Sequence, residues 1–305
     1  MTDTPLPLTT RLGQMAVNAL LRGLILLSLA LPYRVRVPLM GWLVAHVVAP
    51  VAGYRRRVRD NLALVMPDLP EAEVRALCLA VPDNAGRTLI EMYSGDEFIA
   101  HARDAVVSGP GLAALDRARN EGRPVILVSA HFGNYDAGRA NLIARGFDLG
   151  GLYRPLSNRY FNTHYVASIS KIGTPLFIRG RRGMMQMVKH LRDGGSVCIL
   201  TDLNAHDGVP LQFFGKPALT SLVTAEMALR YQAELIPVYV IRAANGLDFS
   251  IEVHKPIAPS DALTMTQAVN DGLEALVREH MGQWFWIHRR WKDGGLPDDQ
   301  DDLTN

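Results

Sequence analysis

The feature that most constrains this chain is a rhythm that sets in after Gly109, where short apolar runs of strand length alternate with amphipathic stretches of helix length. PVILVSA (residues 124–130), LGGLYR (149–154), SVCILT (196–201) and LIPVYVI (235–241) read as buried strands. Residues 132–144, 160–172, 182–192 and 220–231 carry the intervening helical patterns. This alternation implies an α/β fold with a mostly parallel central sheet flanked by helices. DFSIEVH (248–254) follows the turn pair Asn245-Gly246 and is expected to add an antiparallel edge strand, and residues 264–281 a last helix.

The beginning of the chain has a different texture. Residues 15–51 are overwhelmingly apolar, including LILLSLALP (24–32) and GWLVAHVVAPVAG (41–53). A spanning helix needs roughly 20 apolar residues. Residues 16–31 qualify only with Asn18 and Arg22 inside the stretch, and a charge at mid-membrane costs at least ~2.5 kcal/mol. One span and a set of interfacial helices are the two readings, and both place the chain at a membrane. A cleaved leader is disfavoured, because the apolar core begins late and no convincing small-x-small cleavage site precedes the next apolar stretch. Arg34, Arg36, Arg55, Arg56, Arg57 and Arg59 follow the apolar region and only Arg11 precedes it, which puts the body in the cytoplasm if the segment spans.

Three parts are expected: a membrane-associating segment (1–53), the main body (54–292) and an acidic, disordered tail (293–305). The body opens with helices interrupted by Pro67 and Pro70. A net charge of only +2 argues against a general nucleic-acid binder. Cys78 and Cys198 read as free thiols of a reducing compartment. His206 and Asp207 have no second ligand cluster beside them, so neither a metal nor another cofactor is expected.

The chemistry centres on AHFGNYD (130–136). On one continuous helix, residues five apart lie about 140° apart around the axis, so His131 and Asp136 would not meet. A strand-to-helix turn through Gly133 brings them together, with Asp136 taking the imidazole N–H and leaving the other nitrogen free as a base. Such a base suits a hydroxyl too weakly acidic to attack a thioester unaided. No G-x-S-x-G elbow is present, which favours direct transfer over a covalent acyl-enzyme.

His131 to Asp136 resembles the His-x4-Asp/Glu signature of glycerolipid-type acyltransferases. The wider chain resembles the lipid A biosynthesis acyltransferases, the late lauroyl and myristoyl transferases. The blocks that carry this are, in order, RRRVRDNLALVMPDL (55–69), AHFGNYD, YRPLSN (153–158), IRGRRGM (178–184), LTDLN (200–204) with FFG (213–215), and WIHRRWK (286–292). The resemblance implies a glycerolipid acyltransferase-like fold with His131 as base and Asp136 as its partner, a position often filled by Glu in the family. It also implies Arg154, Asn158, Arg179 and Asp202 as substrate-binding residues.

Arg154 would neutralise a phosphate or a developing oxyanion, or else form a structural ion pair. Arg179, Arg181 and Arg182 with Gly180 and Gly183 form an anion site or a solvated loop. Asp202 ends a strand, as a site residue or a cap. Phe213 and Phe214 line an acyl channel or pack the core. Trp284, Phe285, Trp286 and Trp291 sit at the lipid headgroups or in the core.

By resemblance, acyl carrier protein is the donor, a membrane glycolipid such as a lipid A precursor is the acceptor, and the setting is the cytoplasmic face of the inner membrane. The alternatives are another lipid acceptor (a lysophospholipid, a phosphoinositide mannoside or an amino lipid), with acyl-CoA or acyl carrier protein as donor; a hydrolase using the same pair; and a non-catalytic lipid-binding membrane protein.

Overall fold

The computed structural model describes residues 7–292; the tail expected over 293–305 lies outside them. Helices α1 (Leu8–Leu29) and α2 (Tyr33–Leu43) come first, then a π turn (Val44–Val48) and the short α3 (Ala49–Val51). α4 (Tyr54–Val65) and α5 (Glu71–Tyr93) are separated at Pro67 and Pro70, as their missing N–H groups require, and α6 (Asp96–Arg103) leads into the body. The body then runs β1 (Val106–Ser108), α7 (Leu112–Asn120), β2 (Val125–Ser129), α8 (Tyr135–Ala144), β3 (Leu149–Tyr153), α9 (Arg159–Ile172), β4 (Leu176–Ile178), α10 (Arg181–Arg192) and β5 (Ser196–Leu200). It ends with the β6–β7 hairpin (Val209–Phe213, Lys216–Thr220), α11 (Val223–Tyr231), β8 (Glu234–Arg242), β9 (Phe249–Val253) and α12 (Ala262–Glu279).

The seven-stranded sheet has the order β1-β9-β8-β2-β5-β3-β4, and every neighbouring pair is parallel except β8–β9. Every residue of β2 is buried, which is why its sequence is a continuous apolar run rather than an alternating one. The antiparallel strand expected at 248–254 is β9, but it is not the edge. β1, a three-residue strand too short to stand out in the sequence, pairs outside it. The helix expected over 220–231 begins only at Val223, because the β6–β7 hairpin holds the chain through Thr220.

Apolar residues on both sides of the sheet form the core, and the last aromatic segment closes one end of it. Trp284, Trp286 and Trp291 are fully buried together with Phe213 and Phe214. Ring centroids lie 4.7 Å apart for Trp284–Trp286 and 5.0 Å apart for Phe213–Phe214. Trp286, Trp291, Phe213 and Phe214 therefore take the core-packing alternative, and Trp284 packs with them.

α1 lies on the body with one face. Arg11 Nε donates to Tyr160 Oη at 3.0 Å, Gln14 takes Asn158 Nδ2 on its backbone oxygen at 2.9 Å, and Ile25 is buried in the main core. Burial lowers the His164 pKa, and the Arg22 charge lowers it further. Residues 11, 14, 18, 22 and 25 follow helical spacing along one stripe. Leu12, Leu20, Leu24 and Leu27 are exposed. α1 and the segment Tyr33–Val51 are each long and apolar enough to cross a membrane by length and composition.

Candidate active site

β2 and β5 are parallel neighbours with Ser129 opposite Leu200, and Thr201 N–H extends the ladder to Ser129 O at 3.0 Å. His131 lies two residues beyond the end of β2 and Asp202 two residues beyond β5. Adjacent strands are ~4.8 Å apart, so the two side chains leave the same edge of the sheet as neighbours. Asp202 Oδ1 lies 2.9 Å from His131 Nδ1, and Asp202 Oδ2 accepts His131 backbone N–H at 2.9 Å and Trp284 Nε1–H at 2.9 Å. An ionised carboxylate only accepts, so Nδ1 carries the proton and Nε2 keeps its lone pair. Burial pushes the Asp202 carboxyl up, but the His131 charge and these N–H donors reverse the shift and hold it below the usual range.

His131 is therefore partnered by Asp202 and not, as the spacing suggests, by Asp136. Asp136 stands in the first turn of α8, where Asn134 Oδ1 accepts its backbone N–H at 3.1 Å. Its Oδ1 takes Arg139 Nη1 at 3.1 Å, one turn along the same helix face. Arg139 in turn reaches the carbonyls of Ile169 and Gly173. Burial raises the Asp136 pKa, partly offset by Arg139 and by the His131 charge.

Both residues still line one cleft of about 190 Å³, with Tyr135, Trp284 and Phe285 around the imidazole. The Tyr135 ring meets the His131 ring at 72° with centroids 5.4 Å apart. Burial, then the Asp136 charge, pushes the Tyr135 hydroxyl well above its ordinary pKa, so it stays protonated. The opposite wall is α5, through Val81, Ala85, Leu89 and Met92. Their spacing sets an apolar stripe along the helix for ~16 Å at 1.5 Å per residue.

The other expected site residues divide. Arg154 and Arg179 follow β3 and β4, whose register sets Tyr153 opposite Ile178, and Arg179 N–H donates to Tyr153 O at 2.8 Å. Both arginines are exposed at the sheet edge that carries His131. On strand spacing they stand ~10 Å and ~14 Å along that edge from His131. Arg181 and Arg182 are exposed in the first turn of α10.

Asn158 is committed to a cap: its Oδ1 accepts from the N–H groups of Tyr160 and Phe161 at 3.1 and 3.0 Å, and its Nδ2 donates to Gln14 O. These bonds join the start of α9 to α1. Asp202 is turned to His131 and Trp284. Among the described residues, no group of three or more His, Cys, Asp or Glu could hold a metal ion, and Cys78 and Cys198 are free thiols.

The pairing of Asp202 with His131 was not legible from local spacing, since it needs the knowledge that β2 and β5 are adjacent. The α5 wall gave a local signal in its apolar i, i+4, i+8 positions, but an amphipathic helix also buries such a face in an ordinary core.

The sequence profile of the family described as bacterial lipid A biosynthesis acyltransferase matches residues 8–293. A lipid A biosynthesis acyltransferase of Haemophilus influenzae is 25% identical over 287 residues, covering 88% of this chain and 86% of the relative. A lipid A biosynthesis lauroyltransferase of Escherichia coli is 25% identical over 253 residues, 77% and 78% of the two chains. A phosphatidylinositol mannoside acyltransferase of Mycobacterium tuberculosis is 24% identical over 247 residues, 78% of each. With its α/β sheet, its histidine-centred cleft and a match over nearly its whole length, this chain belongs to the bacterial lipid A biosynthesis acyltransferase family and is an acyltransferase.

Proposed function

We propose that the protein transfers a fatty acyl group from acyl carrier protein to a hydroxyl of a membrane glycolipid, a lipid A precursor in the first instance. The observation that carries this reading is the His131 Nδ1–Asp202 Oδ1 contact of 2.9 Å, which leaves Nε2 as a free base in an apolar cleft. His131 Nε2 takes the proton of the acceptor hydroxyl as its oxygen attacks the thioester carbonyl. Asp202 holds the tautomer and stabilises the imidazolium, and the same proton then passes to the departing thiolate. A positioned base of this kind contributes ~10²–10⁴-fold. Asp136 acts from the same cleft through its charge and its pair with Arg139, not as the hydrogen-bond partner of the base.

The acyl chain lies along the α5 stripe formed by Val81, Ala85, Leu89 and Met92. Arg154 and Arg179 receive phosphate groups of the donor or acceptor, with charge-assisted forked bonds as the physical basis. Residues 1–53 form the membrane-associating segment and 54–292 the acyltransferase domain. The polar stripe of α1 rests on α9 while its leucines are exposed, which supports attachment in the plane of a membrane, and by family likeness that membrane is the inner one and the face the cytoplasmic one.

The relative that acts on phosphatidylinositol mannoside favours one second reading, acylation of a different glycolipid by the same residues. Purified protein supplied with labelled acyl-acyl carrier protein or acyl-CoA, and with each candidate acceptor in turn, separates the two. A labelled lipid A precursor with wild type and none with His131→Ala is the expected result. Label reaching only another lipid replaces the acceptor, and label released mainly as free fatty acid in the presence of acceptor contradicts transferase action.

A further inference from the structure

Around the loop that carries His131 lies a polar network that proton transfer does not use and that reaches the cleft wall at Asn84 and Thr88. Glu91 of α5 is completely buried, and both its oxygens are taken by Arg242 at the end of β8, at 2.5 and 2.7 Å. Replacing a buried ion pair by apolar residues of the same size is often neutral or stabilising, so stability alone gives little reason for this pair. Apart from the bond from Arg242 Nη1 to the carbonyl of Gly246 at 3.2 Å, its remaining bonds converge on one place. Glu91 Oε2 accepts Asn134 Nδ2 at 2.7 Å, and Arg242 donates to Asn84 Oδ1 at 2.8 Å and to Thr88 Oγ1 at 3.2 Å. Asn84 Nδ2 and Thr88 Oγ1 in turn both donate to the carbonyl of Gly133, at 3.1 and 2.9 Å.

The other side of Gly133 is fixed as well. Its N–H donates to Gln283 O at 2.9 Å, and the Gln283 side chain is bonded to the backbone N–H and O of Arg242 at 2.7 and 3.0 Å. Gly133 itself has φ +54°, and a Cβ there would fall 1.9 Å from Val240 O, so the loop passes hard against β8 with no room to shift. Phe285 N–H donates to His131 O at 3.0 Å. Every peptide from His131 to Asn134 is thus tied to α5, β8 or the segment after α12.

We infer that Glu91 and Arg242, acting through Asn84, Thr88 and Asn134, are positioning residues that clamp the 131–134 loop and so aim His131 Nε2 into the cleft. The inference rests on His131 being the base. Displacing a reacting group by about 1 Å costs on the order of 10²-fold in rate, so a clamp of this kind acts on turnover before it acts on substrate binding.

The test is acyl transfer by Glu91→Gln and by Thr88→Val, with Thr88→Ser as the rescue and His131→Ala measured in parallel. Glu91→Gln keeps the shape and removes the bidentate acceptor. Thr88→Val keeps the shape and removes one donor to Gly133 O, and Thr88→Ser restores that hydroxyl. The expected result is a fall in kcat of about 10- to 100-fold with KM changed less than about threefold, and recovery in Thr88→Ser. The pH profile of kcat in Thr88→Val is also expected to shift as the His131–Asp202 bond loosens. Thr88→Val with wild-type kcat and pH profile, beside an inactive His131→Ala, overturns the clamp and leaves the base in place. An active His131→Ala overturns both. If Glu91→Gln does not fold, the Thr88 pair decides the question alone.

Discussion

Asp202 grips His131 twice: one carboxylate oxygen meets the ring at Nδ1 and the other meets the backbone N–H of the same residue, each at 2.9 Å. The two contacts fix both the ring and the peptide that bears it, and Trp284 Nε1–H shares the second oxygen. The His131 ring is oriented by a residue 71 positions away in the chain, brought beside it by the pairing of two strands.

This carboxylate gives the first prediction. Its pKa lies below the ordinary value, because the His131 charge and three N–H donors outweigh the burial that pushes it up. A carboxyl with a depressed folded pKa adds stability above its unfolded pKa and loses it as pH falls through the lower folded value. The stability gap between wild type and Asp202→Asn is expected to be full at neutral pH and to close below about pH 4. Thermal melts across that range check it, and a gap independent of pH would count against the pairing.

Asp136 gives a second. Removing its carboxyl leaves the buried Arg139 guanidinium without an ionic partner, so Asp136→Ala is expected to lose ~3–5 kcal/mol of stability. The double variant Asp136→Leu/Arg139→Met removes both charges and should recover most of it in a denaturant titration. Activity measured in that refolded background then reports the share of Asp136 in catalysis, separated from its structural role.

A third contrasts two apolar regions. Phe214→Ala opens the aromatic core and is expected to cost ~3–5 kcal/mol without altering which acyl chains are used. Ala85→Phe, on the α5 wall of the cleft, is expected to shift use towards shorter chains with little loss of stability. Competition assays with mixed acyl donors read both. A chain-length shift in Phe214→Ala alone would return the acyl site to the FFG segment.

The fourth concerns attachment. Because the polar stripe of α1 is docked on α9, alkaline carbonate is expected to release the protein from membranes, and Leu20→Glu/Leu24→Glu to weaken binding while leaving the fold intact. Retention of the wild-type protein in carbonate-washed membranes would instead establish a span.

The longer strands of the main sheet were legible because burial on both faces leaves continuous apolar runs, as in β2, whereas the three-residue β1 and β4 and the β6–β7 hairpin carry no such run; the breaks at Pro67 and Pro70 were written in the backbone chemistry of proline. The position of His131 at the end of a buried strand was legible as well, from the run PVILVSA and the turn at Gly133. Its partner was not. Asp136 and Asp202 both suit the role by type, and only the order of the strands decides between them. The same limit applies to Asn158 and the tryptophans, whose chemistry fits either a site or a scaffold until their neighbours are known.

The most direct test of the central claim is mass spectrometry of total lipids from cells lacking the gene, complemented by wild type, His131→Ala or Asp202→Asn. Loss of one secondary acyl chain from lipid A, restored by wild type, absent with His131→Ala and severely reduced with Asp202→Asn, is the predicted result. Full restoration by His131→Ala would contradict the assignment of the base and with it the account of this cleft.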